Sequence, residues 1–434
     1  MDTTSEFAEV AIKKEQQVAW LRVAAVSSMV AFSLPTFITG LEIYQGLSAI
    51  NAIWALLVGS AILFAIGSMT ASIGANTHMS SYLLVRIAFG DKGAGVVNIA
   101  FAISLLGWFG ININLFADAS GRLLIDLFGL AVPSFILSIL ASLVMTLTTL
   151  VGFRAINILA TAMMPVLVLV TAFLVIYSLH QHSFSALMDA PKPVSMSLGD
   201  GVSVIVGNII VGVIILPDIT RFVRHWSGAV STAFITLMLV QLTVMSAAAI
   251  ASAATGQTEI LNVMLALGLG LGAFIIVITS SWVLNALNLY STVLSVKATF
   301  PKLNEKTLTL ALGAVGIVAA LMNILDHFVT FLFYLSVIFV PVAGVIIIDY
   351  FFVRRAAYRI ESLAKNRAYA PKALFASGIG AVTAIIMSEN IVPSLTGMAA
   401  VDAMLLAAFI YSALSFGAPL GRALKRRRQS ENRN

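Results

Sequence analysis

Gly201-Val-Ser-Val-Ile-Val-Gly207-Asn208-Ile209-Ile-Val-Gly212-Val-Ile-Ile-Leu-Pro217 is apolar enough to span a bilayer, yet it carries glycine and asparagine at its centre. Glycine costs a helix about 1 kcal/mol relative to alanine, and an asparagine amide in hydrocarbon needs a partner. Non-helical backbone at membrane depth survives only where protein buries it or where it lines a cavity. The stretch therefore reads as a helix broken at Gly207-Asn208, with the break as the wall of a binding site. The competing reading is that Gly207 and Gly212 let neighbouring helices approach closely.

The rest of the chain fits a membrane setting. Of 434 residues, 60% are hydrophobic and 10% charged, a composition that leaves an all-α integral membrane protein as the fold class. The absence of cysteine excludes disulfides, thiolate metal sites and a cysteine nucleophile. Residues 1–19 are polar and charged and resemble no cleavable signal, so they read as a cytoplasmic segment.

Twelve apolar stretches of spanning length follow, at about 22–45, 48–75, 93–118, 128–152, 155–179, 198–220, 227–254, 261–295, 307–325, 328–351, 371–390 and 397–418. With both termini inside, only Arg122 and Lys192 of the 25 basic residues fall outside, the bias expected of a cytoplasmic-membrane protein in that orientation. The Lys425-Arg426-Arg427-Arg428 run then anchors a basic tail, 421–434, at anionic lipid, and nucleic acid is not an expected partner.

Span one echoes span six: Ser33-Leu-Pro35 and Gly40 interrupt it as Gly207, Asn208, Gly212 and Pro217 interrupt the other. Interrupted helices at corresponding positions of two halves point to a transporter site between inverted five-helix repeats. Here the repeats would occupy about 20–180 and 198–352, with two extra helices at 371–418, all within a permease domain at 20–420.

In span three, Trp108 and Asn112 are four apart and share a helix face, offering a flat aromatic surface beside an amide. That pair suits a planar heterocycle. In span eight, Asn285 and Asn288 also face one way; they bond either a substrate edge or a neighbouring helix. Among the acids, Asp218, Asp349 and Asp118 read as ion-pair partners of Arg221, Arg354 and Arg122, while Glu42 at the outer part of span one is the candidate proton carrier. Gly268-Leu-Gly-Leu-Gly272 lies in an apolar span and reads as packing rather than a dinucleotide loop. No catalytic constellation or metal-ligand spacing is present, so neither an enzyme nor a cofactor is expected.

Arg86-Ile-Ala-Phe-Gly90, Gly107-Trp-Phe-Gly110, Asp218-Ile-Thr-Arg-Phe222, Asn285-Ala-Leu-Asn-Leu-Tyr290 and Pro341-Val-Ala-Gly-Val-Ile-Ile-Ile-Asp-Tyr350 together resemble the nucleobase:cation symporter family, which includes cytosine, allantoin and hydantoin transporters. The resemblance implies the LeuT-type fold, ten core helices in two inverted repeats plus two more, working by alternating access. It implies that Trp108 stacks on the substrate and that Asn112, Gly207, Asn208, Asn285 and Asn288 surround it. A second stacking aromatic falls on Ile209. The hydroxyl pair that binds sodium in the family falls on Val283 and Leu284, which leaves the backbone near Met29, Phe32 and Ser280. Sodium coupling is therefore expected to be lost, with transport coupled to a proton or facilitated. The expected substrate is a nucleobase or related small heterocycle such as cytosine. The alternatives are sodium-coupled transport of hydantoin, allantoin or thiamine-type compounds, and an amino-acid or amine carrier of the same fold.

Overall fold

In the computed structural model, residues 11–151, 153–181, 194–268, 270–322, 324–354, 357–389 and 391–431 are described. The described residues build an all-helical bundle, and every one of the twelve expected spans falls on helix. Among the described residues, nine helices are long and apolar enough to cross a membrane, ten when the bent pair Trp20–Ala31 and Leu34–Gly46 is taken as one span. The eighth and ninth spans are Gly270–Thr299 and the 17-residue Glu305–Leu321. The protein is a multi-pass membrane protein.

Span one bends by 57° between its halves. The cause is Pro35: in a continuous helix its missing N–H would orphan the Ala31 carbonyl and its ring would strike it. The helix stops at Ala31, Ser33 takes an extended conformation, and the second half restarts with the proline in its first turn.

Span six corrects the expectation drawn from the glycines. Leu198–Ile214 is one uninterrupted helix that passes straight through Gly207 and Asn208, and the break comes at Ile215-Leu216, ahead of the short helix Pro217–Thr220. Glycine weakens a helix but keeps its hydrogen bond, whereas proline removes one. Pro217 is thus the breaker. Gly207 serves contact instead: a Cβ there would collide with the Leu332 carbonyl of span ten, Phe328–Ile348.

Span seven, Trp226–Thr255, contains a π-helical turn over Phe234–Val240, and span ten ends in another at Asp349–Val353. At one end of the bundle the chain before span one is stitched to the chain after span six. Val18 N–H donates to the Phe222 carbonyl at 2.8 Å, Ile12 N–H reaches the His78 carbonyl at 2.9 Å, and the His78 ring meets the Arg221 carbonyl at 2.8 Å. At the opposite end, the Gly46 carbonyl accepts from Ser195 and Met196 N–H at 3.0 and 3.2 Å, and Gln45 donates to the Thr258 carbonyl.

The ion pairs differ in part from expectation. Asp349 and Arg354 do pair, at 2.9 Å. Arg122, however, pairs with Glu259 rather than Asp118, whose carboxylate accepts from Ser134 at 3.1 Å. Adjacent turns of one helix lost to a neighbouring segment within reach.

Candidate functional site

A cavity of about 540 Å³ lies where the broken spans meet spans three, seven and eight. Ser33, Pro35 and Thr36 enter from the break in span one, Trp108 from span three, and Asn208 and Ile209 from span six. Thr236 comes from the π-helical turn of span seven, and Leu284 and Asn288 from span eight. Its size is that of a small-molecule site, and among the described residues no charged side chain lines this central part.

Trp108 is 7% exposed and held edge-on by two rings of span ten, Phe331 at 5.4 Å and Phe328 at 6.0 Å between centroids. Edge-to-face packing fixes a ring without covering both of its faces. Across the cavity the polar groups form a chain. Asn208 Nδ2 donates to Thr36 Oγ1 at 3.4 Å, and the Thr36 and Ser33 hydroxyls are 3.0 Å apart. These contacts are loose, so the groups can turn to a ligand's polar edge without leaving strong bonds.

Four of the expected residues therefore come together: Trp108, Asn208, Ile209 and Asn288 all line the cavity. The other expected residues lie outside its walls. Asn112 is fully buried behind Trp108, its Nδ2 bonded to the Trp108 carbonyl at 2.8 Å, and its Oδ1 has no partner among the described residues. Asn285 donates to the Phe109 carbonyl at 3.0 Å and to Met145 Sδ at 3.4 Å, while its Oδ1 accepts from Asn288 at 3.4 Å. It holds spans three, four and eight together and positions Asn288. Gly207 packs on span ten as described.

Met29 and Phe32, at the end of the first half of span one, are buried, as is Ser280 on span eight. Val283 is fully buried and Leu284 faces the cavity, so the two positions expected to lack hydroxyls present hydrocarbon there. Glu42 sits in the second half of span one, toward the Gly46 end.

Sequence reasoning missed Thr36 and Thr236. Thr36 stands next to the proline that makes the break, and a hydroxyl in the first turn after a broken helix was the available signal. Thr236 carried none, because its place depends on the π-helical turn.

The cavity runs on toward the end stitched by the N-terminal segment, where Gln16, Arg22, Asp218 and Arg221 line it. There Asp218 Oδ1 accepts from both Ser81 N–H and Ser81 Oγ, at 2.8 and 2.9 Å, and Arg221 Nε donates to the Asp218 carbonyl at 3.1 Å. The expected Asp218–Arg221 contact thus includes a carbonyl, while the carboxylate caps the helix Ser81–Phe89.

A helical membrane bundle with two broken spans around a central ligand-sized cavity is a transporter architecture, and the comparisons agree. The sequence profile described as permease for cytosine/purines, uracil, thiamine, allantoin matches residues 13–414, and the chain belongs to that family. The chain is 28% identical over 368 residues to the cytosine permease of Escherichia coli (strain K12), covering 85% of each. Among solved structures, a nucleobase-cation-symport-1 family transporter in a closed conformation with bromovinylhydantoin bound superposes with a TM-score of 0.78 at 19% identity, covering 93% of both chains. A substrate-bound outward-open Na⁺-coupled sialic acid symporter gives 0.68 at 12% identity, over 96% of this chain and 93% of that one. The fold is thus the LeuT type, and the protein is a transporter, not an enzyme.

Proposed function

We propose that the protein imports a neutral nucleobase, cytosine foremost, across the cytoplasmic membrane by alternating access, with both termini cytoplasmic and a proton rather than sodium as the coupling ion. The observation that carries this is the union of Trp108, Asn208 and Asn288 in one cavity where, among the described residues, no charged group stands beside them. A flat ring stacks on the tryptophan while amides and hydroxyls take its polar edge. An amino acid or amine would call for a charged partner there, which disfavours the rival substrate class. The relative named cytosine permease supports the choice of base.

The Arg22 and Arg221 end of the cavity is then the cytoplasmic end, in keeping with the distribution of basic residues. Ligand shifts the equilibrium between inward and outward forms only by binding them unequally, and the loosely bonded Asn208–Thr36 pair joining the two broken spans is where that difference would arise. Hydrocarbon at Val283 and Leu284 supports the loss of sodium coupling.

The test is uptake into proteoliposomes. Saturable counterflow of cytosine, insensitive to sodium and stimulated by an inward proton gradient, is the expected result. Sodium-dependent uptake would overturn the coupling assignment, and competition by amino acids instead of bases would overturn the substrate class.

A further inference from the structure

A second cavity, of about 380 Å³, lies away from the substrate site, between the end of span ten, the segment before span eleven, and span twelve. Among the described residues its one acid is Asp349, which is fully buried. That carboxylate is already satisfied: Oδ2 accepts from Arg354 Nε at 2.9 Å and from the Tyr358 hydroxyl at 2.6 Å, and Oδ1 from the Tyr411 hydroxyl at 2.5 Å. Arg354 balances its charge and also donates to the Ile87 carbonyl at 2.8 Å.

The remaining charged groups on the wall are Arg367 and Lys372, beside Asn366 and Ser415. Among the described residues neither cation has a carboxylate within ion-pair distance; Lys372 donates one of its hydrogens to the Leu414 carbonyl. Among the described residues the wall therefore presents two cations without a carboxylate partner. A guanidinium fork beside an ammonium is the donor set that recognises phosphate.

The surroundings identify the bearer of that phosphate. Span eleven, Pro371–Ser388, carries Lys372, and Phe375 one turn further on the same face is 56% exposed. Span twelve carries Ser415, and the adjoining Phe416 is 49% exposed. Tyr369, between Arg367 and Lys372, is 52% exposed. An ionic site rimmed by exposed aromatic groups at the end of two membrane spans matches a molecule with an anionic head and hydrocarbon chains.

We infer that Arg367 and Lys372 bind the phosphate of an anionic phospholipid, whose acyl chains lie along spans eleven and twelve. The lipid then clamps those two spans to the ten-span core, because the same wall includes Asp349 of span ten and Tyr411 of span twelve.

The experiment follows thermal unfolding of the detergent-purified chain while phosphatidylglycerol, phosphatidylcholine or inorganic phosphate is titrated in. A ligand of the folded form raises the midpoint by mass action. Phosphatidylglycerol should raise it saturably and phosphatidylcholine should not. Arg367→Gln should move the half-saturating concentration up about tenfold or more, the effect of losing one charge-assisted contact, and Arg367→Lys should recover most of it. Ser415→Asp, which places a carboxylate on the same wall, should abolish the shift and stands as the second variant should Arg367→Gln not fold. Equal shifts with phosphatidylcholine, or unchanged titrations in both variants, would overturn the site. Inorganic phosphate acting at the same concentration as the lipid would overturn the lipid as ligand and leave a soluble phosphate in its place.

Discussion

Thr70 on span two donates its hydroxyl hydrogen to the Val213 carbonyl of span six at 2.8 Å, and this is the carbonyl that Pro217 leaves without a helical partner. A break in a membrane helix exposes backbone that lipid cannot satisfy, so the break and its remedy must occur together. Thr70→Val keeps the shape and removes the donor. It should cost about 1–3 kcal/mol, the penalty of an unsatisfied buried acceptor, while Thr70→Ser stays near the parent. Apparent melting temperature in detergent distinguishes them, and a valine variant as stable as the parent would mean that the carbonyl finds another donor.

Trp108 offers a ring face to the cavity beside Asn208, Ile209, Leu284 and Asn288. Trp108→Ala should abolish saturable uptake while the protein remains folded, because Phe328 and Phe331 pack on the ring's surroundings from span ten and their helix is otherwise well buried. Trp108→Phe should retain transport with weaker apparent affinity. Uptake assays paired with a melting curve check both; unchanged affinity in the alanine variant would remove the ring from the substrate site.

Asn208 and Thr36 join the two broken spans through one long hydrogen bond. Asn208→Leu and Thr36→Val should each raise the half-saturating substrate concentration by about 2–10-fold, as a lost neutral hydrogen bond of about 0.5–1.5 kcal/mol requires. The double variant should cost less than the sum if the two groups act on the ligand as a pair. Strict additivity would show that they act separately.

Tyr358 lies outside the spans, and burial, followed by the Asp349 charge that its hydroxyl faces, pushes that hydroxyl well above its ordinary value of 10.0. The unfolded chain ionises first, so the stability that this tyrosine contributes is complete below that value and declines as pH rises through it. The slope is at most about 1.4 kcal/mol per pH unit. Tyr358→Phe should lower stability at neutral pH and flatten its alkaline decline. Melting temperatures from about pH 9 to about pH 11 give the comparison, and parallel curves would sink the assignment.

The apolar stretches and their order were legible because hydrocarbon thickness imposes a length on a spanning helix. What could not be read was which polar group answers which. Asn112 lies four residues after Trp108, and the spacing that puts both on one face also puts the amide within reach of the Trp108 carbonyl, where it is spent. Asn285 likewise went to a neighbouring helix, to the Phe109 carbonyl. Gly207 and Pro217 lie in the same apolar stretch, and only the approach of Leu332 separates a glycine needed for contact from a proline that breaks the helix. Trp108 and Asn208 were legible because neither has a bland role at mid-span. Thr36 was not, since a threonine in a membrane helix usually bonds its own backbone, as Thr39 does to the Pro35 carbonyl at 2.9 Å.

The parallel bridge between Val18 and Val223 joins a segment made early to one made much later. At about 5–20 residues per second, roughly ten to forty seconds of synthesis separate them. During that interval the segment before span one can already meet the His78 carbonyl through Ile12 N–H, but Val18 lacks its Phe222 partner. That clasp on the first helix of the bundle therefore closes only after the sixth has been made, so the N-terminal segment and the middle of the chain are finished together.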